Sequence, residues 1–387
     1  MPPGIADVAT VVSPSTSLEP DWSPAKAVPI CRSKLTEAER LQLDEQAFRY
    51  GTAPESYDIL ISEGSLLRTP CQQGIISILP HLNFWHCPGG ILAPDELKPG
   101  IIDWLASVAR ARRLTIAMYS IGPDEVDLFH KSGWEINKVG EEPVLDLKQL
   151  TWQGKDFEWV RRQSNFCKRA GIEIIEIRDD AEKHRLADEL VSILHEDLAG
   201  RTFPKPLRLL EGEFDPYALY RRRLFLARSR ETGRIEGFLA CSPMLNGSIW
   251  AFETYRKRKD APRGVIPYLF REVADRLKQE GVEQVSLCLV PGKGISQKTS
   301  PSGYWLATWS LSLWYRRMNF LFNSQGQNYF KSRFRPRFIE RYICVTPKSS
   351  LFSISSFLYT TGAYAPNLVN TFRNLWNSWK NPFPADE

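Results

Sequence analysis

The stretch "SIWAFETYRKRKDAPRGVIPYLFREVADRLKQEGVEQVSLCLV" (248–290) is the one on which the fold turns. "SIWAFETYR" (248–256) reads as a strand rich in aromatic and β-branched residues, followed by the basic turn "KRKDAPRG". From Gly264 to Gly281, Ile266, Leu269, Phe270, Val273 and Leu277 recur at helical spacing and form one apolar stripe. "QVSLCLV" (284–290) then reads as a second strand.

Strand, turn, helix, strand is the core order of an acyltransferase-like fold, and the same alternation continues outward in both directions. Upstream lie a helix at 183–198, strands near 224–228 and 235–241, and the strand "IEIIEI" (172–177). Further upstream, "GIISIL" (74–79), "LTIAMYSI" (114–121) and "EEPVLDL" (141–147) read as strands. The helix "PGIIDWLASVARARR" (99–113) opens with proline and ends in arginines, and a short helix at 123–133 stops at glycine. The alternation implies an α/β layer structure, traversed twice and without a short-period repeat.

The chain's 387 residues, 43% hydrophobic and 25% charged, have ordinary globular composition, and length alone suggests two domains. Seven scattered cysteines, at 31, 71, 87, 167, 241, 288 and 344, include no CxxC pair. They indicate neither a disulfide framework nor a zinc site, and a reduced, cytoplasmic setting fits them. Cys241, Cys288 and Cys344 sit in apolar runs, where a thiol acts as a small core residue. The proline-rich start lacks the layout of a signal peptide, and no apolar run reaches membrane-spanning length.

The formal charge is only +5, but it is unevenly distributed. Windows 155–169, 250–263 and 315–342 together hold seventeen Lys/Arg against five Asp/Glu, so the remainder is net acidic. Concentrated cations point to a polyanion, nucleic acid or an anionic membrane, against the plainer reading of solvated helix faces. In the first window an amphipathic helix carries Phe157, Val160, Ser164 and Cys167 on one face and Arg161, Arg162, Lys168 and Arg169 on the other. In the last, "FNSQGQNYFKSRFRPRF" (322–338) braids rings with Lys331, Arg333, Arg335 and Arg337. It reads either as a connection with snorkelling arginines or as a groove that pairs cations with stacking surfaces.

Among chemistry candidates, the turn before Gly264 has a single glycine, which weakens a coenzyme A grip, although Arg263 and the helix N-terminus can still hold a phosphate. Glu253 and Arg256 stand three apart at a strand end. They form either a structural pair, or a carboxylate that orients an amine beside a guanidinium that binds an anion. His81 and His86 lack a third ligand and make a poor metal site. No GxSxG, Walker or GxGxxG motif occurs.

Four motifs in order carry a family resemblance: "VGEEPVLDLKQLTWQGKDFEWVRRQSNFCKRAGIEIIEI" (139–177), "GEFDPYALYRRRLFLAR" (212–228), "ETYRKRKDAPRGVIPYLF" (253–270) and "FNSQGQNYFKSRFRPRFIERY" (322–342). Over about Tyr50 to Pro347 the chain resembles the catalytic domain of the bacterial phosphatidylglycerol lysyltransferases, the multiple peptide resistance factors. The resemblance implies two tandem GNAT-like units with mixed central sheets flanked by helices. It implies transfer of an aminoacyl group from aminoacyl-tRNA to a membrane-lipid hydroxyl, with no cofactor and no metal. The expected division is a disordered leader (1–30), an N-terminal unit (31–150), a basic connecting helix (151–171), a catalytic unit (172–347) and an amphipathic C-terminal segment (348–387). By position, the family's acid and the arginine three residues later fall on Glu253 and Arg256, with glutamate in place of the usual aspartate. The later lysine and its basic neighbour fall on Lys331 and Arg333, and Pro336 also matches. With Arg161, Arg162, Lys168, Arg258, Arg263 and Arg335 these cations are expected to meet tRNA or lipid phosphates.

The multispanning half of full-length relatives is not part of this sequence, so contact with the bilayer is expected through the C-terminal segment. Leu351, Phe352, Phe357, Leu358, Trp376 and Trp379 with Arg373 and Lys380 suit either an interface or a helix packed on the domain. Alternative functions are transfer to a peptide or small molecule, and a non-catalytic protein that binds tRNA or membrane.

Overall fold

The computed structural model describes residues 20–61, 63–296 and 302–380. The first half of the chain runs β1 (Ile30–Cys31), α1 (Glu37–Tyr50), β2 (Ser65–Arg68), β3 (Ile75–His81), β4 (Phe84–Cys87), α2 (Lys98–Arg112), β5 (Thr115–Ile121), α3 (Pro123–Lys131) and β6 (Glu135–Asp146). Helix α4 (Glu158–Arg169) leads to β7 (Ile172–Ile177), α5 (Asp180–Leu198), β8 (Arg223–Ser229), β9 (Ile235–Met244), β10 (Ile249–Lys257), α6 (Val265–Gln279), β11 (Gln284–Ser286) and β12 (Val290–Pro291). The chain closes with α7 (Trp305–Arg317), α8 (Ser324–Ser332), β13 (Arg337–Thr346), α9 (Leu351–Thr361) and α10 (Leu368–Lys380).

The expected α/β architecture is present, with the crossover unit traversed twice. Among the described strands the parallel pairs are β4 with β5 and β10 with β11, and each is joined by one helix, α2 or α6. That helix buries its stripe on the sheet: Leu269, Phe270, Val273 and Leu277 of α6 are fully covered, each contributing roughly 1.5–3 kcal/mol. Pro267 is tolerated in α6 because first-turn amides have no helical partner to lose.

The two halves share one sheet, ordered β1-β2-β3-β4-β5-β13-β6-β11-β10-β9-β8-β7, with β12 also on β6. Strand β13, from the region expected to complete the second unit, lies antiparallel between β5 and β6 of the first. Strand β6 in turn pairs along its other edge with β11 and β12. Cys344 of β13 therefore sits in the core under α2, while Phe334, just before β13, sits in the core under α6.

Several expectations are corrected. Pro20 to Ile30, the described part of the expected disordered leader, is ordered: Trp22 meets Trp104 edge-on at 6.3 Å, and the indole of Trp104 donates to the Ser23 carbonyl. The expectation for residues 1–19 lies outside the described residues. The strand read through 284–290 breaks after Ser286, where Cys288 adopts φ 64° and is half-buried instead of being a core thiol. His81 and His86 converge on Ser356 of α9, at 2.9 and 2.8 Å.

A buried ion cluster fastens the halves together. Arg222, just before β8, reaches Asp58 of the first half (3.6 Å) and Glu253 of β10 (3.3 Å), and its Nε donates to Ser242 (3.0 Å). Burial, reinforced by the Glu253 charge, pushes the Asp58 carboxyl well up. Removing the cation leaves those carboxyls unpaired. Arg222→Met is expected to lower stability by about 3–5 kcal/mol in urea unfolding, whereas the exposed Arg162→Met stays within about 0.5 kcal/mol. A second expectation concerns Gly140 of β6, where a Cβ would lie 2.3 Å from the Val290 carbonyl of β12. Gly140→Val should cost about 1–3 kcal/mol by forcing β12 off the sheet, read as a lowered urea midpoint.

Candidate active site

Strand β10 carries the two residues singled out by the "ETYR" motif, and a bulge aligns them. Phe252 pairs with Cys241 and Thr254 with Ala240, leaving Glu253 as the extra residue. The bulge offsets the alternation that would send residues three apart to opposite faces, so Glu253 and Arg256 line the same chamber.

That chamber is small, about 40 Å3, and is walled by Glu55, Gly212, Glu253, Arg256, Cys288 and Lys331 among others. Glu253 is held by Arg222 and by Ser242, whose hydroxyl donates to Oε2. Gly212 makes room for it: a Cβ there would lie 2.4 Å from the Glu253 Cγ. The extra methylene relative to an aspartate is thus accommodated by a glycine from the motif that also supplies Arg222.

Lys331 enters the chamber from α8 and is buried. Its Nζ donates to the carbonyls of Cys288 and Leu289, both at 3.0 Å. The left-handed turn at Cys288 and the pairing of β12 with β6 form this seat. Burial pulls the Lys331 ammonium down to about 8 and pushes the Glu55 carboxyl up. Arg256 lies 3.5 Å from Asp197 and 3.8 Å from Glu211, and burial, then the neighbouring Arg201, lowers its guanidinium from the ordinary value.

Arg256, Tyr255, Glu211 and Gln327 also line a cavity of about 620 Å3 that adjoins the chamber. Its other walls combine apolar side chains (Phe203, Leu207, Phe322, Phe330) with polar ones (Thr202, Asn319, Asn323, Asn374, Asn377) and two cations, Lys205 and Arg201, the latter paired with Asp197 and Glu211.

A separate groove of about 1010 Å3 runs along α4. Seven Lys/Arg line it against two acids, Asp156 and Glu158. Five of the expected cations meet here: Arg162, Lys168, Arg263, Arg333 and Arg335. Arg263 stacks on Phe166 at 4.9 Å and Arg333 on Trp159 at 4.8 Å, while Arg335 pairs with Asp156 at 3.0 Å. Phe330 lines the cavity and touches Trp159 of the groove (6.2 Å), so these rings form a wall between the two.

Three expected cations are placed elsewhere. Lys331 is in the chamber. Arg161 turns back to the carbonyls of Trp152 and Gly154, both at 2.7 Å, fixing the turn before α4. Arg258 donates to the Ile235 carbonyl (2.7 Å) and Glu189 (2.8 Å). Sequence reasoning missed Arg222, Ser242, Asp58, Glu55 and Gly212. Arg222 and Gly212 lie within a quoted motif, but the run Arg221–Arg223 reads as surface charge until the sheet is assembled.

Residues 81–345 match the family model described as phosphatidylglycerol lysyltransferase, C-terminal. The phosphatidylglycerol lysyltransferase of Bacillus subtilis is 24% identical over 276 residues, covering 68% of this chain and 30% of that protein. A lysylphosphatidylglycerol biosynthesis bifunctional protein of Rhodococcus jostii is 21% identical over 296 residues, 74% of this chain and 25% of that protein. The chain thus spans less than a third of the length of either relative. Among solved structures, L-PGS from Bacillus licheniformis superposes with a TM-score of 0.69 at 19% identity, covering 85% of this chain and 97% of that one. A C-terminal domain attributed to a lysylphosphatidylglycerol synthetase of Agrobacterium fabrum gives 0.69 at 18% identity, covering 86% and 98%. With the family model matched over most of its length and the same fold in these structures, the chain belongs to the phosphatidylglycerol lysyltransferase C-terminal domain family.

Proposed function

We propose that the protein moves an aminoacyl group from aminoacyl-tRNA to a hydroxyl of an anionic membrane lipid resembling phosphatidylglycerol, at the inner face of the membrane. The observation that carries this reading is the chamber holding Glu253, Arg256 and Lys331, adjoining a cavity whose apolar walls, amides and cations complement the chains and headgroup of an anionic phospholipid. The α4 groove, cationic and aromatic, suits the phosphates and bases of the tRNA donor.

In the proposed reaction the lipid hydroxyl oxygen bonds to the aminoacyl carbonyl carbon and the bond to the tRNA ribose oxygen breaks. The hydroxyl proton ends on that ribose oxygen, so nothing is oxidised or reduced. The donor ester is already activated, and positioning with charge stabilisation supplies the rest. Glu253, braced by Arg222 and Ser242, accepts hydrogen bonds from the aminoacyl ammonium. Lys331 commits two N–H groups to carbonyls and presents the third to the ester oxygen as charge develops. Arg256 and Arg201 face the lipid phosphate.

The test supplies radiolabelled aminoacyl-tRNA and total membrane lipid and counts label in the organic phase. RNase-sensitive label there is the expected result. Ester loss with only aqueous label would instead identify a water-soluble acceptor, and an intact ester would leave a binding protein. Glu253→Gln is expected to lower transfer about 10²–10³-fold per folded molecule, alongside a lowered thermal midpoint because Arg222 loses one of its two carboxylate partners, and wild-type turnover would remove Glu253 from the mechanism.

Lys331 also sets a pH dependence. Its charge is present below about 8 and lost as pH rises through that value, so the transfer rate should fall above about pH 8. Lys331→Met should lower the rate about 10²-fold and abolish that limb, whereas Lys331→Arg should keep the charge and shift the limb upward. A wild-type profile that climbs through pH 8 unchanged would refute the cationic role.

A further inference from the structure

Helix α10 is packed inside out. A surface helix normally buries its apolar stripe and gives its polar face to water. Here the polar side is bound to the protein. Asn370 donates to the carbonyls of Ala199 (3.0 Å) and Arg201 (2.8 Å), and Asn374 donates to the Thr202 hydroxyl (3.1 Å). Arg373 donates to the Gly200 carbonyl (3.0 Å). These acceptors immediately follow α5, where the last carbonyls of a helix lack helical donors. The opposite side, Leu368, Val369 and Phe372, faces outward at 66%, 76% and 68% exposure.

The arrangement is rigidly seated. Helix α9 is tied by Ser356 to His81 and His86, and its Phe357 stacks on Tyr119 at 6.0 Å. Its own outward residues, Leu351 and Phe352, are more than half exposed, as is Tyr364 in the turn to α10. From Tyr342 to Lys380 the sequence has no acid, while Lys348, Arg373 and Lys380 are cations. Both helices follow the segment matched by the family model, which ends at residue 345. Asn374 and Asn377 of α10 line the 620 Å3 cavity, and so does the exposed Lys205.

We infer that the outward face of α10, with the adjoining end of α9, docks on an anionic phospholipid bilayer and lays the cavity against the headgroups. An apolar face backed by cations and free of acids matches such a surface, whereas two copies meeting face to face would oppose like charges. The purpose assigned to the contact rests on reading the cavity as the lipid acceptor site; the contact itself does not.

The test is co-sedimentation of the full chain with vesicles of phosphatidylcholine alone and of phosphatidylcholine mixed with phosphatidylglycerol. Wild type is expected to bind the mixed vesicles, less so at high salt. The double variant Val369→Glu/Phe372→Glu should bind them at least about tenfold more weakly, with an unchanged thermal midpoint. It should still transfer label to micelle-dispersed phosphatidylglycerol within about twofold, because neither residue lines the cavity. Undiminished binding by the variant, or none by wild type, overturns the proposal. So does a wild-type dimer that the variant makes monomeric, which would assign the face to a second copy. Vesicle binding without any transfer would sink the proposed reaction and leave the docking face standing.

Discussion

Strand β6 is the constraint on which the rest of the molecule depends. One of its edges pairs with β13 and the other with β11 and β12, so neither half of the chain completes its sheet alone. The insertion of β13 beside β6 fixes the end of α8 and thereby the point at which Lys331 enters the interior. The pairing of β12 holds the Cys288 and Leu289 carbonyls that receive it. Gly140 lies where both partners press on β6, and only a residue without a side chain lets the Val290 carbonyl come so close.

Burial then does two opposed things to the chamber. It raises the cost of every charge placed there, which is why the Glu55 carboxyl shifts up and the Lys331 ammonium shifts down; the same burial raises the Asp58 carboxyl in the ion cluster around Arg222. It also strengthens each surviving interaction and removes the need to reorganise solvent during a reaction. Arg222 reconciles the two by placing one guanidinium between Asp58 and Glu253, at the expense of a cluster that is unstable if any member is removed.

The order of strands and helices was legible because amphipathic periodicity is local, and the stripe of α6 and the two faces of α4 stand where spacing put them. The "ETYR" pair was legible as chemistry, but its shared face depends on a bulge at Glu253 that spacing does not announce. The stretch 322–338, open in the sequence to either a connection with snorkelling arginines or a groove, is divided three ways. Phe330 and Phe334 pack in the core, Lys331 points into the chamber, and Arg333 and Arg335 face the groove. That partition follows from α8 ending between them, and from β13 crossing to the other half of the sheet. Neither is a local property, which is also why Arg222 read as surface charge.

The wall of Phe330 and Trp159 gives the proposed reaction a direction. Phe330 lines the cavity and Trp159 the groove, and the two share no lining residue, so lipid and tRNA would occupy separate surfaces. An aminoacyl ester is consumed by water as readily as by a lipid hydroxyl unless water is kept away. A chamber of about 40 Å3 has little room beyond the reacting atoms. An acceptor filling the adjoining cavity would close the remaining approach. On this argument the narrowness that makes the buried charges costly is the same feature that would favour transfer over hydrolysis.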